Sequence, residues 1–184
     1  MQKYQIGVMG SAADTKYSKD VEEIAEKLGE LIGAKGHITV YGAEKDYDSL
    51  STAAARGAKK SNGLTVGVTY LAGKDIWDKE GNTDVIIPCG ILRGGGREFV
   101  LINSCDAVIS VCGGSGTLSE LAIAYQLDIP MVCMKGTGGW SEKLADNFID
   151  ERKRRPCVGA DTPEEAVEAA IRQIEEKAAA QVAK

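Results

Sequence analysis

Short apolar runs alternate with amphipathic stretches along nearly the whole chain, and this alternation limits the fold more than any other feature. Residues 6–9, 38–41, 64–70, 85–87, 107–111 and 129–134 are the apolar runs, several rich in β-branched side chains. Between them lie stretches of helical period. In the first, Val21, Ile24, Ala25, Leu28, Leu31 and Ile32 recur at helical spacing after Ser18, and Gly36 stops the helix. Residues 50–60 are Ala-rich and read as a second helix. Others are expected from near Gly96, over residues 117–127 and over residues 164–183, the last introduced by Asp161-Thr162-Pro163. Strand and helix repeated in this order require parallel βαβ units with right-handed crossovers. The expected fold is therefore α/β, a single domain over residues 1–184 with a doubly wound parallel sheet and helices on both faces.

At 184 residues the chain is long enough for one sizeable core. With 22 glycines against 4 prolines, its elements should be joined by tight turns and not by Pro-rich linkers. The net charge of -5 argues against general nucleic-acid binding, which needs a basic face. Five cysteines, with no C-x-x-C pair, read as reduced core thiols, and no metal site is expected. No signal segment and no apolar run of membrane-spanning length is visible, so a cytoplasmic protein without membrane contact is expected.

Ligands of open α/β sheets sit beyond the carboxyl ends of the strands. The residues there are Gly10-Ser11, Gly42-Ala43-Glu44, Cys89-Gly90 with Gly94-Gly95-Gly96-Arg97, and the turn from Cys112 to Thr117. The last of these runs Gly113-Gly114-Ser115-Gly116-Thr117 between a strand and a helix. Glycines let the backbone approach an anion, and the helix start aims N–H groups and a favourable dipole at it. The spacing is that of neither a dinucleotide fingerprint nor a Walker loop. Gly10, Ser11 and residues 113–117 are the candidate phosphate-binding set.

Two charged residues accompany the turn. Glu120 can lean back over it, or, as the last residue of Thr117-Leu118-Ser119-Glu120, can close a capping box. Arg97 opens a helix, where a cation opposes the dipole at a cost of about 0.3–1 kcal/mol. An anionic partner, Glu120 or a bound phosphate, would reverse that sign; the alternative is an Arg reaching into water. His37, the only histidine, lies on the wrong edge of the sheet for catalysis and reads as a surface or packing residue. The run Arg152-Lys153-Arg154-Arg155 reads as solvated, and Trp77, in a polar loop over residues 72–82, reads as a loop anchor or a lid.

From Arg97 through Asp106-Ala107-Val108-Ile109 to Gly113-Gly114-Ser115-Gly116-Thr117-Leu118-Ser119-Glu120, the chain resembles the LONELY GUY (LOG) family, long labelled "lysine decarboxylase". It looks most like the short bacterial and archaeal branch related to molybdenum cofactor carrier proteins. The resemblance implies a Rossmann-like fold, a homodimer or larger homo-oligomer, and a nucleoside monophosphate site without a further cofactor. In the catalytic members, the residues matching Arg97 and Glu120 support hydrolysis of an N-glycosidic bond to a free base and ribose 5-phosphate. Three departures stand out. Cys112 takes the place of the family's Pro, and Glu98 that of a Lys. The family's first Gly-rich loop becomes Gly42-Ala43-Glu44-Lys45-Asp46-Tyr47-Asp48, whose carboxylates would repel a phosphate. A second catalytic carboxylate would have to come from Asp14, Glu44 or Asp46.

Two functions follow. One, preferred because the Arg–Glu pair is intact, is a phosphoribohydrolase with Arg97 and Glu120 catalytic. The alternative is a non-catalytic carrier or sensor of a nucleotide-like or molybdopterin-type phosphate ligand, which the acidic loop favours.

Overall fold

The computed structural model describes residues 2–13, 16–92 and 96–182. Asp14, Gly94 and Gly95, named above as candidates or site neighbours, and Ala183 at the end of the last expected helix, lie outside the described residues.

The described residues form one eight-stranded sheet. Its strands are β1 (Gln5–Gly10), β2 (Ile38–Gly42), β3 (Leu64–Thr69), β4 (Val85–Pro88), β5 (Ala107–Val111), β6 (Met131–Met134), β7 (Asn147–Phe148) and β8 (Pro156–Ala160). Their spatial order is β4-β3-β2-β1-β5-β6-β8-β7. Every neighbouring pair is parallel except β7 with β8. The helices are α1 (Lys19–Ala34), α2 (Leu50–Lys60), α3 (Arg97–Asn103), α4 (Ser115–Gln126), α5 (Gly139–Leu144) and α6 (Pro163–Val182).

Alternation along each strand sorts side chains to two faces. Ile6, Val8, Ala107, Ile109 and Val111 pack with α1, α2 and α6. Met9, Val40, Val108, Met131 and Cys133 pack with Leu101 and Ile102 of α3 and Leu121, Ala124 and Tyr125 of α4. The result is the expected Rossmann-like arrangement with helices on both faces. The chain winds outward from β1 to β4, then returns through α3 to place β5 on β1's other side. The reversal opens a crevice at the carboxyl ends of β1 and β5, where this kind of sheet receives ligands.

Helix starts follow their cap chemistry. Ser18 Oγ accepts the Val21 N–H at 3.4 Å, and Thr162 Oγ1 accepts the Glu165 N–H at 3.2 Å. Three differences from the sequence expectation concern the second half of the chain. Helix α4 begins at Ser115, two residues earlier than expected, because Gly114 serves as its N-cap. Residues 129–130 do not belong to β6; the Ile129 N–H closes α4 by donating to the Ala124 carbonyl. Elements α5, β7 and β8 were not anticipated. Strand β8 starts at Pro156 and contains Gly159, so its extended conformation comes from pairing with β6 and not from local preference.

Helices α1 and α2 cross in backbone contact. A Cβ on Gly57 would lie 1.7 Å from the Glu26 carbonyl oxygen, and one on Gly29 would lie 1.8 Å from that of Ala54. Backbone at that distance cannot yield without moving a helix. Gly57→Ala is expected to lower unfolding free energy by about 2 kcal/mol, overpacking outweighing the roughly 1 kcal/mol gain in helix propensity. A urea denaturation midpoint at or above wild type would refute this.

Candidate functional site

The turn after β5 is built from unusual backbone. Cys112 has φ +56° and Gly113 φ +94°. A Cβ on Gly113 would stand 2.5 Å from Thr117, so both conformation and space require glycine there. Gly114 then caps α4 with no side-chain hydrogen bond, and the first intrahelical bond is Leu118 N–H to the Gly114 carbonyl at 3.1 Å. Among the described residues nothing accepts from the Ser115, Gly116 or Thr117 N–H groups. Ser115 and Gly116 are exposed, and with Gly96, Glu98, Ser119 and Ile123 they line a cavity of about 340 Å³. Open amides at a helix start beside a cavity make an anion site.

Gly10 and Ser11 brace this turn from β1. A Cβ on Gly10 would meet Leu50 Cβ at 2.6 Å, so glycine lets α2 close against the strand end. Ser11 is buried, and its Oγ accepts the Gly113 N–H at 2.9 Å. It shapes the turn, leaving its own proton to donate.

Arg97 is 5 % exposed and starts α3. Its guanidinium lies across Gly42, where a Cβ would come within 1.9 Å of Nη1. Its Nη2 pairs with Glu44 at 3.2 Å and Glu98 at 3.5 Å. This corrects the expectation that Glu120 would be its protein partner: Gly42 steers the guanidinium toward the residue two positions beyond it. Among the described residues Arg97 Nε has no hydrogen-bond partner. The acidic loop also behaves differently from expectation. Asp48 binds Arg56 at 2.9 and 3.0 Å, and Asp46 reaches Tyr70 at 3.4 Å, so only Glu44 turns toward Arg97.

Glu120 is 6 % exposed and accepts no hydrogen bond from a described residue. Burial pushes its carboxyl up to about 7; Arg97 pulls the other way, and Glu98 and Glu44 add to the rise. The capping-box reading is excluded, since Thr117 is the third residue of α4 and not its cap. Arg97 and Glu120 thus share one electrostatic cluster without pairing directly.

A further support of the turn is not marked by any motif in the sequence. Residues 135–141 follow β6, with positive φ at Gly136, Gly138 and Gly139. Thr137 Oγ1 accepts the Cys112 N–H at 2.9 Å, Trp140 N–H donates to the Gly113 carbonyl at 3.0 Å, and Ser141 N–H to that of Cys112 at 2.8 Å. The readable signal was a glycine-rich turn at another strand's carboxyl end.

The remaining candidates stand apart. His37 stacks on Tyr4 at 4.9 Å, and its Nδ1 accepts the Tyr4 N–H at 3.2 Å; burial and then Lys35 hold its pKa down. Arg155 pairs with Asp128, Arg152 with Asp150, and both partners lie at the surface. Trp77 N–H donates to the Glu44 carbonyl at 2.8 Å, which makes it an anchor of its loop. A larger cleft of about 600 Å³ lies between α1, α2 and residues 77–82. Its central Arg56 is saturated by Glu22, Glu26 and Asp48, away from the switch-point crevice. The five cysteines are free thiols, three of them buried. No helix among the described residues is long and apolar enough to cross a membrane.

Comparison with known proteins agrees with this fold. An uncharacterized protein of Archaeoglobus fulgidus is 36% identical over 126 residues, 68% of this chain and 76% of that one. The solved molybdenum cofactor binding protein of Rippkaea orientalis is 29% identical with a TM-score of 0.75, covering 95% of this chain and 99% of its own. The molybdenum cofactor carrier protein of Chlamydomonas reinhardtii is 28% identical with a TM-score of 0.76, over 95% and 99%. Residues 3–167 match a single family description, and the chain belongs to the SLOG cluster4 family.

Proposed function

We propose that this protein is a carrier or sensor of a phosphate-bearing ligand of the nucleotide or molybdopterin type. The observation that carries the reading is the open start of α4 at the β1/β5 switch point, with three amides that no described residue engages. The similarity to a molybdenum cofactor binding protein and a molybdenum cofactor carrier protein supports the ligand class.

A second reading, N-glycosidic hydrolysis, is favoured by Glu120 alone. A buried carboxyl titrating near 7 is suited to proton transfer. Glycoside hydrolysis uses two carboxyls, however, and the two beside Glu120 are tied to Arg97.

Calorimetric titration with AMP, GMP and 6-hydroxymethylpterin diphosphate, with product analysis of the same samples, separates the readings. Binding without release of base is expected. Gly116→Asp is the matched variant, because a Cβ at Gly116 meets no atom within 4 Å. It should fold like wild type and lose at least tenfold in affinity, a carboxylate then facing the phosphate. Unchanged affinity in Gly116→Asp removes the α4 turn as the anion site; release of base establishes the enzyme instead.

A further inference from the structure

We infer that Trp140 is the platform on which the flat heteroaromatic ring of the bound ligand stacks; this rests on the phosphate-carrier reading. The bonds that fix residues 135–141 also place Trp140. Its N–H is held by the Gly113 carbonyl, and Gly139 leaves no room for a side chain, a Cβ there falling 2.5 Å from Cys112 and Gly113 backbone. The next residue, Ser141, is buried, its Oγ donating to the Ser110 carbonyl at 2.8 Å. The segment is therefore tied at residues 137, 140 and 141 to the carboxyl end of β5, one of the two strands that form the crevice.

On this fixed backbone Trp140 is the second residue of α5 and is only half-buried. Helical side chains lean toward the N-terminus, which here is the end joined to Gly113. Lys143 Nζ lies over the indole at 4.6 Å. An indole face suits a planar, electron-poor ring, and the exposed Lys143 ammonium, displaced from that face, suits the anion the ring carries. The adjoining α4 amides would take the phosphate, and the indole would take the ring. The site then distinguishes ring-bearing phosphates from plain sugar phosphates, which the turn alone cannot do. Nucleobase and pterin share this chemistry.

The test uses Trp77→Phe protein, in which Trp140 is the only indole. Its emission is titrated with AMP, GMP, 6-hydroxymethylpterin diphosphate and ribose 5-phosphate. At least one ring ligand should quench Trp140 saturably, at the concentration where calorimetry sees binding, and ribose 5-phosphate should not. Trp140→Ala should weaken that ring ligand about tenfold or more, Trp140→Phe much less, and neither should change ribose 5-phosphate affinity. Preference for a nucleotide or for the pterin identifies which ring is taken. Equal affinity of ring ligands for wild type and Trp140→Ala, or binding without quenching, overturns the stacking assignment and leaves the carrier reading intact. No binding of any of the four to wild type overturns the carrier reading and the assignment with it. Should Trp140→Ala fail to fold, the quenching measurement decides alone.

Discussion

Arg97→Ala is expected to lower the unfolding free energy by about 3 kcal/mol, the cost of removing the guanidinium from a buried ion pair. The Arg97 and Glu44 side chains are 7% and 8% exposed and 3.2 Å apart. Both side chains are desolvated, and Glu98 and Glu120 add carboxyls nearby. The loss should be mainly electrostatic. Adding Glu44→Gln to Arg97→Ala should recover part of it, because one of the buried charges that faced the guanidinium is then gone. Urea denaturation of both single variants and the double variant, near pH 7, provides the comparison. Strict additivity of the two single effects would mean that the pair does not act as a unit.

The second large effect concerns pH. Glu120 has its folded-state pKa raised from 4.5 to about 7. The folded protein therefore holds that proton more tightly than the unfolded chain. The associated stability is fully present below about pH 4.5 and is lost as pH rises through 7. Integrated over that interval the loss is about 3 kcal/mol. Glu120→Gln carries no such titration. It should match wild type near pH 5 and exceed it at pH 8 by on the order of 2 kcal/mol, the amide's own burial offsetting the rest. Parallel stability curves for the two proteins between pH 5 and 8 would show that Glu120 is not the titrating group. The same charge bears on the proposed carrier: ionised Glu120 lies in the helix that would hold the phosphate, so ligand affinity should weaken above pH 7.

How much of this was legible in the sequence depended on the range of the cause. The first half of the fold was, since Ile6, Val8, Val21, Leu28 and Val40 carry their burial pattern in their own spacing. So was the turn at Gly113, because glycine between a strand and a helix has few other uses. Strand β8 was not legible, since its Pro156 and Gly159 acquire strand geometry only from β6. Residues 135–141 were overlooked for a related reason: their glycines matter only because β6 ends beside β5.

The chain's own pattern determined the α/β class, the place of the anion turn and the identity of its charged residues. Only the tertiary structure decided which charges meet. Gly42 and Arg97 are far apart in sequence, and nothing local says that a guanidinium will cross that glycine to reach Glu44. Nor does the local pattern show that Glu120 will be buried, and so titrate near neutrality. Backbone preference and hydrophobic period act over a few residues, whereas ion pairing and desolvation depend on what the fold brings into contact.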